Sequence, residues 1–462
     1  MNINNIKYVY FLGIGGIGMS AIARWFVANN FQVAGYDKTP TTLTTALEAE
    51  GIQIHFNDNI SHIPEHFLAE KASTLIVYTP AIPKDHSEYN WLIANNFELY
   101  KRSQVLGFLT ENLFTIAVAG THGKTTTSSM VAHILKQVGK NVTAFLGGIT
   151  QNYGTNFLIN EGPTDIICVV EADEFDRSFL TLSPNISIVT STDADHLDIY
   201  GSHTHVLESF QLFVNKLQTG GTVYIQANQN LTNIDGTSQY KYSLTTGEYC
   251  TQNLRIEEAI FKFDLIHPKG VINEIEMALP GYHNVENAIA AAAACLQVGV
   301  NEQDIKNALA SFGGVKRRFE YQIRTKDCIF IDDYAHHPTE IEAFLTSVKA
   351  LYPNHQLTAI FQPHLFSRTN DFQIEFAKSL ELADDLLLLD IYPARELPMP
   401  GVTSSIIFDK IKNQNKTLCT KANVIEMVKD KKPKLLVTIG AGDIDTLLSP
   451  LKATLLKANS LN

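Results

Sequence analysis

The chain has few cysteines and lacks the sequence features of a secreted or membrane-spanning protein. Its 462 residues include five cysteines, and none of them forms a Cys-x-x-Cys pair, so neither a disulfide framework nor a zinc module is indicated. The N-terminus lacks the basic-then-apolar pattern of a secretory signal. The longest apolar runs, such as residues 288–296, are too short to span a bilayer. We therefore expect a cytoplasmic protein in a reducing compartment.

Positive charge is also in deficit. Lysine and arginine number 36 against 48 aspartate and glutamate residues, which gives a formal net charge of -12. This balance argues against a protein that coats nucleic acid, but a local cluster of N–H groups can still bind an anion. With 45% hydrophobic residues, a chain of this length is expected to form several domains, each with its own core.

The most informative motif is AVAGTHGKTTT at residues 117–127. An apolar strand enters a turn that contains Gly120 and Gly123, and a helix with an apolar stripe leaves it. Such a turn directs backbone N–H groups and the positive end of the helix toward a phosphate. We expect Lys124 to reach the terminal phosphates of a nucleotide and Thr125 to hold Mg²⁺.

Two further strands, predicted over residues 165–170 and 186–190, belong to the same segment. The acidic sequences EADEFD (171–176) and STDADHLD (191–198) follow them directly. In an open α/β sheet, ligands bind beyond the carboxyl ends of the strands. We therefore expect both acidic clusters beside the phosphate-binding turn.

These acidic clusters contain the candidate metal ligands. Mg²⁺ prefers oxygen ligands and uses one or two carboxylates together with substrate phosphates. Glu171 and Thr125 suit one such ion. His196 is an unusual ligand for Mg²⁺, so it indicates either a second ion or a direct contact with phosphate.

The chain opens with a βαβ pattern that carries a second glycine motif. GIGGIGMS (13–20) follows an apolar strand and places Gly13, Gly15 and Gly18 at the spacing G-x-G-x-x-G. Asp37 ends the next strand, where an acidic residue meets a ribose hydroxyl in dinucleotide-binding domains. A nicotinamide-dependent oxidoreductase is therefore an alternative from a different class of enzyme, although it leaves the phosphate-binding motif unexplained.

The last third of the chain alternates apolar strands with helical stretches, as in an open, mostly parallel sheet. Its strands are predicted over residues 328–331, 357–361, 386–391 and 435–439. DDYAHHPTEI (332–341) and FQPHLFSRT (361–369) follow the first two of these strands. We expect their polar groups, including His336, His364 and Arg368, at one sheet edge, although any single histidine here is also compatible with a structural role.

Two motifs lie between these segments. GYHNVENAIAAAA (281–294) enters an Ala-rich helix on which Asn284 and Asn287 share a face. Their amides suit an adenine edge, and they equally suit capping of the helix start. VKRRFE (315–320) contains Arg318, whose guanidinium suits a phosphate across a cleft. The same motif is also compatible with a basic linker.

Taken in order, these motifs resemble those of the Mur ligase family. The resemblance covers essentially the whole chain and rests on GIGGIGMS, AGTHGKTTT, EADEFDRSF, DADHLD, GYHNVENA, RRFE, DDYAHHPTE, FQPHLFSRT, IYPARE and TIGAGDI. It implies an ATP-dependent ligase that uses Mg²⁺. The motifs are most similar to the branch that joins L-alanine to UDP-N-acetylmuramate in peptidoglycan precursor synthesis. A recycling ligase that attaches a tripeptide to the same sugar is the alternative within the family.

The resemblance also implies an α/β fold of three domains. A Rossmann-like domain that binds the UDP-sugar is expected over residues 1–109. A central ATP-binding domain of the P-loop ATPase type is expected over residues 110–314. A second Rossmann-like domain, over residues 315–462, is expected to receive the amino acid. No nucleic acid or membrane partner is expected, and both a monomer and a homodimer are compatible with the sequence.

Site residues follow from the same resemblance. Catalytic roles are implied for Lys124, Glu171, His196, Arg318 and Asp333, and metal binding for Thr125, Glu171 and His196. ATP binding is implied for Gly120, Thr121, His122, Gly123, Lys124, Thr125, Thr126, Asn284, Asn287 and Arg318. Binding of the UDP-sugar is implied for Gly15, Gly16, Gly18, Asp37, Thr79, Ala81 and Arg102. Binding of alanine is implied for Tyr334, His336, His364 and Arg368.

Three positions depart from the expected patterns. Val118 stands where the usual phosphate-loop spacing has its first glycine. Leu365 stands where the alanine-adding branch carries a basic residue, so part of the binding of the alanine carboxylate is expected to come from elsewhere. Other family members carry a carbamylated lysine about one helix beyond the DHxD motif. The corresponding stretch here has no lysine, since Lys216 lies further on, and this absence fits the alanine-adding branch.

Overall fold

The computed structural model describes residues 3–194, 197–394 and 396–460. The chain forms two compact units. The first comprises Met1–Thr251, Leu265–Ile272 and Asn287–Leu309, and the second comprises Gln252–Asp264, Asn273–Glu286 and Ala310–Asn462. The predicted α/β architecture is confirmed, while the three domain boundaries stay a prediction.

The first unit opens with a parallel sheet whose strand order is β3-β2-β1-β4-β5. Its strands are β1 (Tyr8–Leu12), β2 (Gln32–Tyr36), β3 (Gln53–His55), β4 (Thr74–Tyr78) and β5 (Leu99–Lys101). Its helices are α1 (Ile17–Ala28), α2 (Thr42–Ala49), α3 (Glu65–Ala69), α4 (Ser87–Ala94) and α5 (Arg102–Thr110). Every residue of β1 is buried, as expected for a central strand covered on both faces.

A second sheet in this unit has the order β12-β11-β10-β6-β9-β7-β8. Its strands are β6 (Phe114–Ala119), β7 (Val142–Phe145), β8 (Phe157–Leu158), β9 (Ile167–Glu171), β10 (Ile186–Val189), β11 (Thr222–Gln226) and β12 (Ser238–Tyr242). Its helices are α6 (Lys124–Gln137), α7 (Leu197–Tyr200) and α8 (His203–Val214). Strand β6 lies between β10 and β9 and is parallel to both, so the loop that follows it emerges from the middle of the sheet.

The chain then forms a small sheet and two helices. The sheet has the order β13-β14-β15, with β13 (Cys250–Glu257), β14 (Ile260–His267) and β15 (Gly270–Met277). The helices are α9 (Tyr282–Gln297) and α10 (Glu302–Ser311). Residues 221–280 are therefore rich in β-strands.

The second unit contains a sheet with the order β16-β17-β21-β18-β19-β20. Its strands are β16 (Glu320–Arg324), β17 (Ile329–Asp333), β18 (Leu357–Phe361), β19 (Asp385–Leu388), β20 (Lys416–Leu418) and β21 (Leu435–Ile439). Its helices are α11 (Pro338–Leu351), α12 (Phe366–Asp371), α13 (Gln373–Leu380), α14 (Ser405–Phe408), α15 (Val424–Lys431) and α16 (Leu448–Ser460). Strand β16 is antiparallel to β17, and the other neighbours are parallel.

One apolar core connects the two sheets of the first unit. Buried side chains from both sheets, including Phe11 and Ala117, belong to the same cluster. A polar contact reinforces it, because the Asn156 amide donates to the Ile17 carbonyl oxygen at 2.6 Å and also bonds Arg24. Across the described parts of the chain, no helix combines the length and the apolar character needed to cross a membrane.

Helix α4 carries a buried carboxylic acid that contacts the central strand of the first sheet. Glu88 is fully buried, and its two oxygens accept hydrogen bonds from the Tyr10 hydroxyl at 2.6 Å and the Asn59 N–H at 3.1 Å. Burial raises the pKa of Glu88 to about 7, against the effect of both hydrogen bonds. Between its usual pKa and this value, the folded protein holds a proton that the unfolded chain has lost. Stability therefore falls as the pH rises through this window.

We expect Glu88→Gln, which cannot ionise, to remove this decrease in stability with rising pH. Relative to the wild type, the variant should gain on the order of 2 kcal/mol in the free energy of unfolding between pH 5 and pH 8. Urea titrations followed by fluorescence at both pH values measure the difference. Glu65→Gln, at an exposed position, is the control and should show no pH-dependent difference. A Glu88→Gln effect that is equal at both pH values contradicts the assignment.

Candidate active site

The loop between β6 and α6 adopts a conformation that only glycine accommodates at two positions. Gly120 has φ +140° and Gly123 has φ +80°. A Cβ added at Gly120 would lie 1.9 Å from Thr190 Oγ1, and one at Gly123 would lie 2.7 Å from Asn287 Oδ1. Gly123 is also the N-cap of α6, so the free N–H groups of the helix start face the same place, as in a phosphate site.

The segment after β10 fixes this loop. The Thr121 N–H donates to the Ser191 carbonyl oxygen at 3.1 Å, and the His122 N–H donates to Ser191 Oγ at 2.9 Å. The Asp193 N–H donates to Thr121 Oγ1 at 3.0 Å, and the Asp193 carboxylate lies 3.3 Å from His122 Nε2. The cluster STDADHLD thus supports the loop through its first residues. We did not foresee this role of Ser191 from the sequence.

Lys124 forms a buried ion pair with Glu174. Its Nζ lies 2.7 Å from Glu174 Oε2 and donates to the Gly120 carbonyl oxygen at 2.6 Å. The Glu174 side chain is only 2% exposed. Burial acts to lower the pKa of Lys124, but the charges of Glu174, Asp173 and Glu171 together outweigh it, and the pKa is raised. Burial also raises the pKa of Glu174, and Lys124 opposes that shift.

Glu174 was not among the predicted site residues. The signal was present in the sequence, because Glu174 stands three residues after Glu171 in the acidic cluster. What the sequence does not give is which acid of that cluster turns toward the lysine.

Glu171 and Thr125 are the predicted metal ligands that the structure describes. Glu171 ends β9, is paired in register with Val118 of β6, and accepts a hydrogen bond from the Gly147 N–H at 3.1 Å. Thr125 is buried in the first turn of α6. A carboxylate and a hydroxyl on neighbouring elements are the oxygen ligands that Mg²⁺ prefers, so the donor set fits this ion. His196 lies outside the described residues.

Both predicted amides are buried near the start of α9. Asn287 reaches the phosphate loop, since its Oδ1 occupies the space beside Gly123. Asn284 donates through Nδ2 to the Pro280 carbonyl oxygen at 2.6 Å. Its amide therefore stabilises the turn that leads into the helix.

The glycine turn after β1 is closed by Asp37. The Gly15 N–H donates to Asp37 Oδ2 at 2.8 Å, and a Cβ at Gly15 would lie 2.8 Å from the same oxygen. Gly16 is the N-cap of α1. A Cβ at Gly18 would lie 2.9 Å from Arg102 Nη1. The structure thus brings these five predicted residues together at the carboxyl edge of the first sheet.

Thr79 and Ala81 lie at the same edge. The Thr79 methyl group lies 2.5 Å from the position of a Cβ at Gly13, and the Ala81 N–H donates to Thr79 Oγ1 at 3.4 Å. Arg102 also reaches the acidic segment after β9, because its Nη2 donates to Asp173 Oδ2 at 3.1 Å.

In the second unit, Asp333 organises the end of β17. One of its carboxylate oxygens accepts from the Phe319 N–H at 2.7 Å and the other from the Ala335 N–H at 2.7 Å. Burial raises the pKa of Asp333 to about 7, while the charge of Arg318 acts to lower it. The Arg318 guanidinium lies 5.0 Å from the centre of the Tyr334 ring. Arg318, Asp333 and Tyr334 therefore form one group.

The two adjacent arginines have different environments. Arg317 pairs with the fully buried Asp332 at 3.2 Å and donates to the Gly440 carbonyl oxygen at 2.7 Å. Arg318 approaches Glu340 only at 3.9 Å. Arg317 therefore serves the fold, whereas the longer contact of Arg318 leaves it suited to an external anion.

The predicted histidines converge beside this group. The His336 and His364 rings lie 6.0 Å apart, and Arg368 Nη1 lies 3.3 Å from His364 Nδ1. Two residues absent from the predicted set complete the cluster. Glu340 accepts from the His336 N–H at 2.9 Å, and Tyr392 stacks on His364 with ring centres 5.8 Å apart. Tyr392 belongs to the motif IYPARE, which contributes to the family resemblance but indicates no role for this residue.

Leu365 stands where the alanine-adding branch carries a basic residue. It precedes α12 with φ +71° and donates through its N–H to the Tyr392 carbonyl oxygen at 2.9 Å. A positive φ is uncommon for a non-glycine residue. Arg368 supplies a cation one helical turn later.

Three family models match the chain. They are described as "Mur ligase family, catalytic domain" over residues 8–113, "Mur ligase middle domain" over residues 118–295, and "Mur ligase, glutamate ligase domain" over residues 317–444. Together they account for the glycine turn, the phosphate loop and the histidine cluster.

Individual relatives are similar over nearly their whole length. UDP-N-acetylmuramate–L-alanine ligase from Cytophaga hutchinsonii is 49% identical over 458 residues, which covers 98% of this chain and 97% of the relative. The enzyme of the same name from Christiangramia forsetii is 49% identical over 455 residues, covering 98% and 99%.

Solved structures agree with this similarity. The UDP-N-acetylmuramate-alanine ligase from Thermotoga maritima has a TM-score of 0.80 at 28% identity, covering 98% of this chain and 100% of that one. A murein peptide ligase from Psychrobacter arcticus has a TM-score of 0.67 at 23% identity and shares the fold, covering 97% and 98%. The motifs, the sheets and these relatives together show that the chain belongs to the Mur ligase family.

Proposed function

We propose that this protein is an ATP-dependent ligase that joins L-alanine to the lactyl carboxylate of UDP-N-acetylmuramate. Relatives that carry this name are 49% identical over nearly the whole chain. The observation that carries the chemistry is the phosphate loop, where Lys124 is held between the Gly120 carbonyl oxygen and Glu174 at the positive end of α6.

The reaction requires activation of the acid. Amide formation from a free carboxylate in water is unfavourable, and the carboxylate oxygen is a poor leaving group. A lactyl carboxylate oxygen attacks the γ-phosphorus of ATP, which releases ADP and gives an acyl phosphate. The amine of L-alanine then attacks the acyl carbon, phosphate leaves, and the nitrogen loses a proton.

Two anions meet in the first step, so catalysis depends on positive charge and positioning. Lys124 and the start of α6 supply that charge from the protein. Thr125 and Glu171 would hold Mg²⁺, which neutralises phosphate charge when bound. We assign His196 to a second metal or to a phosphate contact. We also assign Arg318 and Asp333 a catalytic role with ATP, and Asn284 and Asn287 the binding of its adenine.

The glycine turn of the first sheet suits the diphosphate of the UDP-sugar. Gly15, Gly16 and Gly18 present backbone with no side chain at this edge, and Arg102 supplies a cation there. Asp37 fixes the turn through the Gly15 N–H. Thr79 and Ala81 would line the same site.

We expect Asp37→Ala to raise the KM for UDP-N-acetylmuramate about tenfold, because the turn loses a buried hydrogen bond at the substrate. The KM for ATP should stay unchanged. Asp37→Asn retains one oxygen that can accept from Gly15, so its effect should be smaller. Steady-state measurement of ADP release gives both constants. An unchanged KM for the sugar in Asp37→Ala contradicts the assignment.

The histidine cluster suits the amino acid. Arg368 provides a cation for the carboxylate of alanine, and His336, His364 and Tyr334 surround that position. Because ATP and a nucleotide sugar are cytoplasmic metabolites, we place the reaction in the cytoplasm.

One assay separates this proposal from its alternatives. ATP, Mg²⁺ and UDP-N-acetylmuramate are incubated with L-alanine, glycine, L-serine or a cell-wall tripeptide, and the products are weighed by mass spectrometry. The proposal predicts an alanine adduct with stoichiometric ADP. Efficient addition of the tripeptide in place of alanine would identify the recycling ligase. Binding of NADH, followed by fluorescence, would support the oxidoreductase.

A further inference from the structure

Two successive carboxylates after β9 contact cations at two different anion sites. Asp173 Oδ2 accepts from Arg102 Nη2 at 3.1 Å, and Glu174 Oε2 lies 2.7 Å from Lys124 Nζ. Arg102 packs against Gly18 of the glycine turn, and Lys124 begins the helix of the phosphate loop. One short segment of the first unit therefore reaches both places.

At each site an incoming anion competes with a carboxylate of this segment. Among the residues that the structure describes, three groups lie within hydrogen-bond distance of Lys124 Nζ, namely Glu174 and the carbonyl oxygens of Gly120 at 2.6 Å and Thr121 at 3.4 Å. An ammonium has three N–H donors, so a phosphate oxygen that binds Lys124 competes with these three acceptors, of which only Glu174 carries a negative charge. A guanidinium has five N–H donors, so an anion that approaches Arg102 through Nη2 competes with Asp173 for that nitrogen.

The two carboxylates should move together, because they belong to one constrained segment of backbone. Asp173 and Glu174 are adjacent, and Asp176 and Arg177, which follow after Phe175, have φ +52° and +54°. Two consecutive residues in the left-handed region are held there by their surroundings. The Tyr200 hydroxyl, which donates to the Glu174 carbonyl oxygen at 2.6 Å, is one such contact.

We propose that Asp173 and Glu174 are positioning residues that couple the binding of the two nucleotide substrates. This inference rests on the proposed function, since it takes the anion at Arg102 to be the diphosphate of the UDP-sugar. The first substrate to bind must displace the segment, and this displacement weakens its binding. The second substrate then binds a cation whose carboxylate has already moved away. By linkage, each substrate then strengthens the binding of the other by the same factor.

The test is a pair of calorimetric titrations on the full chain without alanine. UDP-N-acetylmuramate is titrated in the absence and presence of a non-hydrolysable ATP analogue with Mg²⁺. In the wild type we expect the analogue to tighten sugar binding about tenfold. In Glu174→Gln the factor should fall below about twofold, and the analogue itself should bind more tightly, because Lys124 has no carboxylate to leave.

Asp173→Asn is the reciprocal variant. It should tighten binding of UDP-N-acetylmuramate in the absence of the analogue and also lose the coupling. Asp176→Asn is the matched control, because Asp176 lies on the same segment but pairs with Lys101 at 3.0 Å. In this variant the analogue should tighten sugar binding as much as it does in the wild type. Glu174→Asp keeps the charge and should restore coupling, which a loss of fold would not allow.

The outcomes are distinct. If the analogue does not change sugar binding in the wild type, the inference is overturned while the ligase function stands. The same holds if both Glu174→Gln and Asp173→Asn keep the wild-type tightening of sugar binding. Failure of the wild type to bind UDP-N-acetylmuramate overturns the proposed function and the inference together. If Glu174→Gln does not fold, as judged by its melting temperature, Asp173→Asn carries the same comparison.

Discussion

Lys124→Ala is expected to lower kcat by at least about 10³-fold, because it removes the cation that faces the developing charge on the transferred phosphoryl group. Binding of UDP-N-acetylmuramate, measured by calorimetry, should remain, since the glycine turn of the first sheet is unaltered. Lys136→Ala, at the opposite end of α6, is the control and should keep near-normal turnover.

This variant also leaves Glu174 buried without its partner, which costs about 3–5 kcal/mol when one member of a buried pair is removed. The double variant Lys124→Met/Glu174→Gln removes both charges and separates loss of chemistry from loss of fold. It should melt closer to the wild type than Lys124→Ala and be equally inactive. Near-normal turnover in either folded variant contradicts the role of the phosphate loop.

Arg318→Ala and Arg317→Ala are expected to have opposite signatures although the residues are adjacent. Arg318 contacts the Tyr334 ring and approaches Glu340 at 3.9 Å. Its removal should lower kcat about 10²- to 10³-fold, as loss of a charge that stabilises the transition state does, and leave the melting temperature within a few degrees. Arg318→Lys, which keeps the charge but not the planar fork, should recover only part of the activity.

Arg317 compensates the buried charge of Asp332. Removing it should destabilise the protein by about 3 kcal/mol or more, since it leaves a buried carboxylate without its partner. Urea unfolding and kcat measured on the same preparations give both signatures. If both variants lose activity and stability to the same extent, the two arginines act only by stabilising the fold.

The phosphate loop was predictable because its determinants are local. The apolar run of β6, Phe114–Ala119, ends directly before Gly120. Glycine at positions 120 and 123 indicates the positive backbone angles of the turn, because glycine adopts them without steric cost. The same reasoning located the glycine turn after β1.

Partners distant in the chain were not predictable from such patterns. Glu174 is one of several acids after β9, and its pairing with Lys124 depends on the left-handed turn that follows it. Tyr392 was missed because the strand predicted over residues 386–391 ends at Leu388 in β19. Beyond β19, Tyr392 forms an isolated parallel bridge with His364, and this pairing places its ring on the histidine. In both cases irregular backbone after a strand, rather than residue type, decides the contact.

The central claim is that the phosphate loop activates a carboxylate as an acyl phosphate. It is tested most directly with UDP-N-acetylmuramate labelled with ¹⁸O in its lactyl carboxylate, incubated with ATP, Mg²⁺, L-alanine and the enzyme. The account predicts one ¹⁸O atom in each released phosphate molecule, detected by mass spectrometry alongside ADP and the alanine adduct. Adduct formation with phosphate free of ¹⁸O would contradict it.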